Sequence, residues 1–208
     1  MPLNNLVFIS GPQGAGKTTL VKRLLQELPN STSPELETRK PKFYWDKRFP
    51  VKIDHFHRQA LKWAQRAIEN YEYWRAARSF PEKLVIGDRC IYDTQVFTNM
   101  CVQLGWFSQE KADLLCKNLS VLYRPELIGP WAIVLNPGFE ISKRHLKARR
   151  NSGHWVKFGE KDDGFLKASC EAFKSLRDHQ RVLYLEERAN SPAIQKIKDW
   201  MHSNDIRK

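Results

Sequence analysis

Short apolar runs alternating with longer helical patterns predict an α/β fold, a parallel sheet covered on both faces. Three observations carry this expectation. Leu6–Ser10 (LVFIS), Leu84–Gly87 (LVIG), Trp131–Leu135 (WAIVL) and Val182–Leu185 (VLYL) are nearly continuous apolar runs, as strands buried on both sides are. The stretches between them repeat apolar residues every three or four positions. A glycine-rich loop joins the first strand to the first helix.

Taken in order, the first strand ends at Gly11. From Lys17 onward Leu20, Val21, Leu24, Leu25 and Leu28 mark a helical stripe that Pro29 and Asn30 terminate. Residues 31–54 are irregular and rich in proline and charge, with Phe43–Trp45 as a candidate strand. A long helix over His55–Arg78 follows, with Phe56, Ala60, Trp63, Ala67 and Tyr71 on its apolar face. After the LVIG strand, helices are expected at about 93–104 and 109–122. The WAIVL strand leads to a helix over 139–150, then one over 163–180. The VLYL strand and a helix over 192–202 complete the pattern. Repeats, low-complexity tracts and dividing linkers are absent, so residues 1–208 read as one domain.

The net charge is +12, from 35 Lys and Arg against 23 Asp and Glu. Such a field attracts nucleotides and nucleic acid, although it also suits a basic protein with no polyanionic partner beyond a cofactor. Cys90, Cys101, Cys116 and Cys170 show no CxxC spacing, which argues against a zinc or redox site. Neither a membrane-length apolar run nor a signal peptide is present, so a cytoplasmic location without a membrane partner is expected.

Gly11-Pro12-Gln13-Gly14-Ala15-Gly16-Lys17-Thr18, followed by Thr19, satisfies GxxxxGK[ST] at every fixed position. Phosphate oxygens must meet several backbone N–H groups at once, which requires a tightly curled loop and a helix N-terminus behind it. Lys17 is assigned to the β- and γ-phosphates of ATP and the Thr18 hydroxyl to Mg²⁺. Asp88-Arg89 follow the LVIG strand directly. The carboxyl end of that strand lies on the loop's edge of a parallel sheet, so Asp88 is a second candidate for Mg²⁺.

With these residues in place the chain resembles the thymidylate kinase and deoxynucleoside kinase superfamily of P-loop kinases. The resemblance rests on GPQGAGKTT, DRCIYDTQVF (88–97), ISKRHLKARR (141–150) and RVLYLEERANSP (181–192). It implies a three-layer P-loop NTPase fold with a five-stranded parallel sheet and an arginine-bearing lid at about 139–160. It also implies ATP- and Mg²⁺-dependent transfer of a phosphoryl group to a nucleotide-like acceptor. Arg144 and Arg150, which share a helix face with Lys147, would act as catalytic lid cations beside Lys17 and Asp88. Arg89, Tyr92, Glu37 and Arg39 would contact the acceptor, Phe97 falls where these kinases carry an aromatic residue, and 181–192 would form the adenine-side loop. The chain departs from the family pattern at Asp88-Arg89-Cys90, and it lacks a clear Glu-Pro signature after the first helix.

Residues 39–52 interleave six basic residues with Phe43, Tyr44, Trp45 and Phe49, the ingredients of a single-strand binding surface as well as of a core segment edged by lysines. His55 and His57 read as helix-start residues rather than a metal pair. A (deoxy)nucleoside or its monophosphate is the expected acceptor. The alternatives are a hydroxyl within DNA or RNA, or an NTP-hydrolysing switch or nucleic-acid-binding ATPase.

Overall fold

The computed structural model describes residues 3–34, 54–153 and 162–206. In chain order these form β1 (Leu6–Ser10), α1 (Lys17–Glu27), β2 (Ser31–Thr32), α2 (His55–Ser79), β3 (Leu84–Asp88), α3 (Ile91–Gln103) and α4 (Gln109–Leu119). They continue with α5 (Pro125–Ile128), β4 (Trp131–Leu135), α6 (Phe139–Asn151), α7 (Asp163–Phe173), β5 (Val182–Leu185) and α8 (Ser191–Ser203). Single 3₁₀ turns extend α4 and α7.

The five strands run in the order β2-β3-β1-β4-β5, all parallel. This confirms the expected α/β class and strand number. The second strand, however, is Ser31–Thr32, paired with Leu84 and Val85. Two polar residues leave no apolar run in the sequence, while Phe43–Trp45 lies outside the described residues. The expected helix over 163–180 stops at Phe173 before its 3₁₀ turn, and the four-residue α5 was not anticipated.

Alternation along the strands sorts the core into two layers. Leu6 and Phe8 of β1 join Trp63, Ala67, Val85, Ile91, Val134 and Phe173 on one face, under α2, α3 and α7. Val7 and Ile9 join Leu20, Leu24, Ile86, Ile133, Leu135, Ile194 and Ile197 on the other, under α1 and α8. Burying each large side chain stabilises the fold by roughly 1.5–3 kcal/mol, so the central strands hold the site above them rigidly.

Helix α2 is phased differently from its expected stripe. Tyr71 is 39% exposed, and the buried face instead includes Gln59, Asn70 and Tyr73 with Trp63, Ala67 and Ala77. The polar members are buried because they bond neighbouring elements: Gln59 Nε2 and Trp63 Nε1 both donate to the Thr98 hydroxyl, at 3.1 and 2.9 Å. The two histidines do start α2. His57 pairs with the cap residue Asp54 at 2.7 Å and His55 stacks on Trp106. Among the described residues no cluster of three His, Cys, Asp or Glu side chains could hold a metal, and no helix is long and apolar enough to cross a membrane.

Candidate functional site

A cavity of about 820 Å³ lies at the carboxyl edge of the sheet. Its floor is the loop Gln13–Thr19, one wall is Asp88 and Arg89, and the other walls come from α6 (His145, Leu146, Arg149), Ser152 and the loop after β5 (Arg188, Ala189).

The loop holds its curl because Gly11, Gly14 and Gly16 have φ of 136°, 74° and 98°. At Gly11 the geometry admits no other residue: a Cβ would stand 2.2 Å from the Leu135 carbonyl oxygen. Gly16 caps α1 without any side-chain hydrogen bond, so the first-turn N–H groups beside Thr18 and Thr19 face the cavity. Thr18 and Thr19 are exposed there, whereas Ala15 packs inward. Gln13 lines the floor and accepts a hydrogen bond from Ser169 at 3.2 Å.

Lys17 does not extend into solvent. Its Nζ donates to the Gly11 and Pro12 carbonyls, at 2.9 and 2.7 Å. Burial, and then the nearby Arg89 cation, push the ammonium down to about 7, against the opposing pull of Asp88 and Asp93. The lysine therefore waits, folded against its own loop, in a place where an anion would restore its charge.

The Asp88–Arg89 backbone is pinned by α2, a contribution the sequence reading missed. Arg66 Nη1 donates to the Asp88 carbonyl at 2.8 Å, and Asn70 donates to the Arg89 carbonyl at 2.9 Å. The Arg89 N–H donates to Ile9. These bonds hold Arg89 at φ 63°, a left-handed conformation that costs a non-glycine residue roughly 1–2 kcal/mol. Its guanidinium contacts Asp93 at 2.8 Å and lies over Phe97 at 5.6 Å.

Helix α6 rests directly on the loop. His145 Nδ1 donates to the Gly14 carbonyl at 2.8 Å, and a Cβ on Gly14 would meet the Ser142 carbonyl oxygen at 2.5 Å. The face that does this carries Ser142, His145, Leu146 and Arg149. Arg144, Lys147 and Arg150 do not line the cavity, whereas Arg149, exposed as they are, does. Arg149 lies four residues beyond His145 and three beyond Leu146, both of which meet the loop at Gly14, and it shares the face that lines the cavity. The expected lid residues 154–160 lie outside the described residues.

Tyr92 is buried and does not line this cavity. Its ring packs on His179 and its hydroxyl donates to the Pro130 carbonyl at 3.2 Å, at the start of β4 and so at the opposite edge of the sheet. Burial pushes its phenol pKa up. Glu37, Arg39 and the basic-aromatic stretch 39–52 lie outside the described residues.

The arrangement has the parts that phosphoryl transfer needs: backbone donors for a polyphosphate, a carboxylate facing the Thr18 hydroxyl's cavity, and cations on three sides. Oxygen donors of this kind, Thr18 and Asp88, suit a hard divalent ion such as Mg²⁺.

Comparisons with known proteins agree. A family model described as deoxynucleoside kinase matches residues 7–156. A deoxyadenosine/deoxycytidine kinase of Bacillus subtilis (strain 168) is 33% identical over 224 residues, covering 98% of this chain and 96% of the relative. The solved structure of deoxyadenosine kinase from M. mycoides with products dCMP and a flexible dCDP bound superposes with a TM-score of 0.57 at 17% identity, over 95% of this chain and 99% of that one. The same M. mycoides kinase with bound dATP gives 0.53 at 14% identity, over the same shares. At such identities the structural likeness shows the fold.

Proposed function

Because the chain belongs to the deoxynucleoside kinase family, and is therefore a phosphotransferase that uses ATP to phosphorylate a deoxynucleoside, we infer that its acceptor is deoxyadenosine or deoxycytidine and that transfer takes place in the cavity above Gly11–Thr19. The convergence of the α1 N-terminus, Lys17, Asp88 and Arg89 on one cavity carries the placement of transfer, and the 33% identical relative carries the choice of acceptor.

The loop N–H groups and the α1 dipole would hold the β- and γ-phosphates of ATP. Lys17 would leave the Gly11 and Pro12 carbonyls and bind phosphate as a full cation. Thr18 and Asp88 would hold Mg²⁺, which when bound supplies charge neutralisation at the phosphates. Arg149 above the loop and Arg89 beside it would face the charge that develops on the transferring group. Arg188 and Ala189 would flank the adenine side. Glu37 and Arg39 stay assigned to the acceptor on the strength of the resemblance. We place residues 1–208 in one kinase domain with a lid at about 139–160, in the reducing cytoplasm that four free cysteines suit. Neither a polynucleotide acceptor nor a hydrolytic switch finds support in the comparisons.

The test is transfer of labelled γ-phosphate from ATP to a panel of deoxynucleosides, monophosphates and oligonucleotides. Label on deoxyadenosine or deoxycytidine ahead of thymidine is expected. Label that enters only monophosphates or oligonucleotides would overturn the assignment.

A further inference from the structure

Asp93 carries a buried carboxylate that the transfer chemistry above does not use. Its side chain is 3% exposed, and its two oxygens tie together different pieces of the site. Oδ2 accepts the Cys90 N–H at 3.0 Å, which caps α3, and also the Ser10 hydroxyl. Oδ1 accepts Arg89 Nη1 at 2.8 Å. Ser10 is the last residue of β1 and leads straight into Gly11, so this one carboxylate spans the ends of β1 and β3.

Capping accounts for Oδ2 alone. A neutral side chain could serve that purpose, and a buried charge is costly unless it is paired. The pairing partner is Arg89, and the geometry of the pair is one-sided. Arg89 Nη1 makes both protein contacts, to Asp93 and, at 3.4 Å, to the Gly11 carbonyl. Nε and Nη2 have no hydrogen-bond partner among the described residues, while the side chain lines the phosphate cavity. A guanidinium gripped on one edge keeps its other edge for a second anion, and that fork matches phosphate geometry.

We propose that Asp93 is a positioning residue for phosphoryl transfer, holding Arg89 with its second edge toward the transferring phosphate and linking that grip through Ser10 to the loop. The proposal rests on the kinase reading. It differs from a purely structural role because its effect must pass through Arg89.

The experiment is a cycle of Asp93→Asn, Arg89→Ala and the double variant in the full chain, read by kcat, both KM values and the melting temperature. Asparagine keeps an acceptor for Cys90 and Ser10, so the cap survives. Asp93→Asn should lower kcat about tenfold or more, leave both KM values within about threefold, and add less than about twofold to the loss from Arg89→Ala. A multiplicative loss in the double variant, or a normal kcat with a lowered melting temperature, would overturn the proposal. If Asp93→Asn does not fold, Ser10→Ala, which removes only the link to the loop, decides it: a lower kcat with unchanged KM supports the grip, and an unchanged kcat overturns it. No transfer by the wild type would overturn the kinase reading and this proposal with it. Transfer by the wild type with an additive double variant overturns this proposal alone.

Discussion

The glycine loop and the helix that lies over it serve the same cavity by opposite means. Gly11–Thr19 offers backbone donors whose positions follow from three glycines at positive φ. Helix α6 offers side chains, and which of them face the cavity depends on rotation about the helix axis. Each residue turns the helix by about 100°, so neighbouring arginines face different ways. Arg149 lines the cavity; Arg150 does not. A site made of backbone can be read from residue identity and order. A site made of helix side chains also requires the phase, which the contacts of His145 and Leu146 with Gly14 supply.

The largest effect should come from the loop. Lys17→Ala should reduce transfer by about three powers of ten, in keeping with the charge-stabilising role of this position. Its melting temperature should not fall below that of the wild type, because the ligand-free ammonium is held at a desolvation cost. That cost is fully present below pH 7, where both folded and unfolded lysine are charged, and fades as pH rises from 7 toward 10.5. Melting curves of the two proteins at pH 6 and pH 9 test this, and a variant markedly less stable at pH 6 would contradict it.

Next in size, Asp88→Asn should lower turnover by about two powers of ten and weaken the dependence on Mg²⁺. Since Arg66 holds the Asp88 carbonyl rather than its carboxylate, that backbone bond should survive the change. A Mg²⁺ titration with unchanged midpoint and normal turnover would remove Asp88 from the site.

A smaller effect concerns ATP affinity and pH. Lys17 sits near 7 without ligand, and phosphate charge favours its protonated form. Affinity should therefore decline as pH rises above 7, by up to about tenfold per unit, with proton uptake on binding. Calorimetry in two buffers of different ionisation heat measures that uptake directly. Equal heats and a flat affinity between pH 7 and 9 would show that Lys17 is already charged.

Much of the fold was legible because buried parallel strands are apolar on both faces. β1, β3, β4 and β5 all announce themselves that way, and the loop motif does so through the glycines its curl requires. β2 could not, since two polar residues suffice for its pairing. The buried face of α2 was hidden for a different reason. Arg66 and Asn70 look like surface residues in sequence, yet each satisfies a carbonyl of the Asp88–Arg89 turn. Tyr92 is ambiguous in the sequence because an aromatic residue beside a motif suits either a ligand or the core; its ring packs on His179 and its hydroxyl on the Pro130 carbonyl. Asp93 lies in the first turn of α3, four residues after Arg89, and that charge spacing was the available signal although Arg89 itself precedes the helix.

Catalysis from α6 depends on which of its arginines faces the phosphates. Single-turnover transfer of labelled γ-phosphate to deoxyadenosine or deoxycytidine, with Arg149→Ala and the Arg144→Ala/Arg150→Ala double variant side by side, tests it most directly. Arg149→Ala should slow transfer roughly ten- to a hundredfold with little change in ATP affinity, as expected for a cation that acts on developing charge. The double variant should stay within about threefold of the wild type, since neither arginine lines the cavity and exposed charges are screened by salt. The reverse order, with the outward pair essential and Arg149 dispensable, would contradict the account and mean that α6 rotates or closes on ATP in a way that restores the arginine lid expected from the sequence.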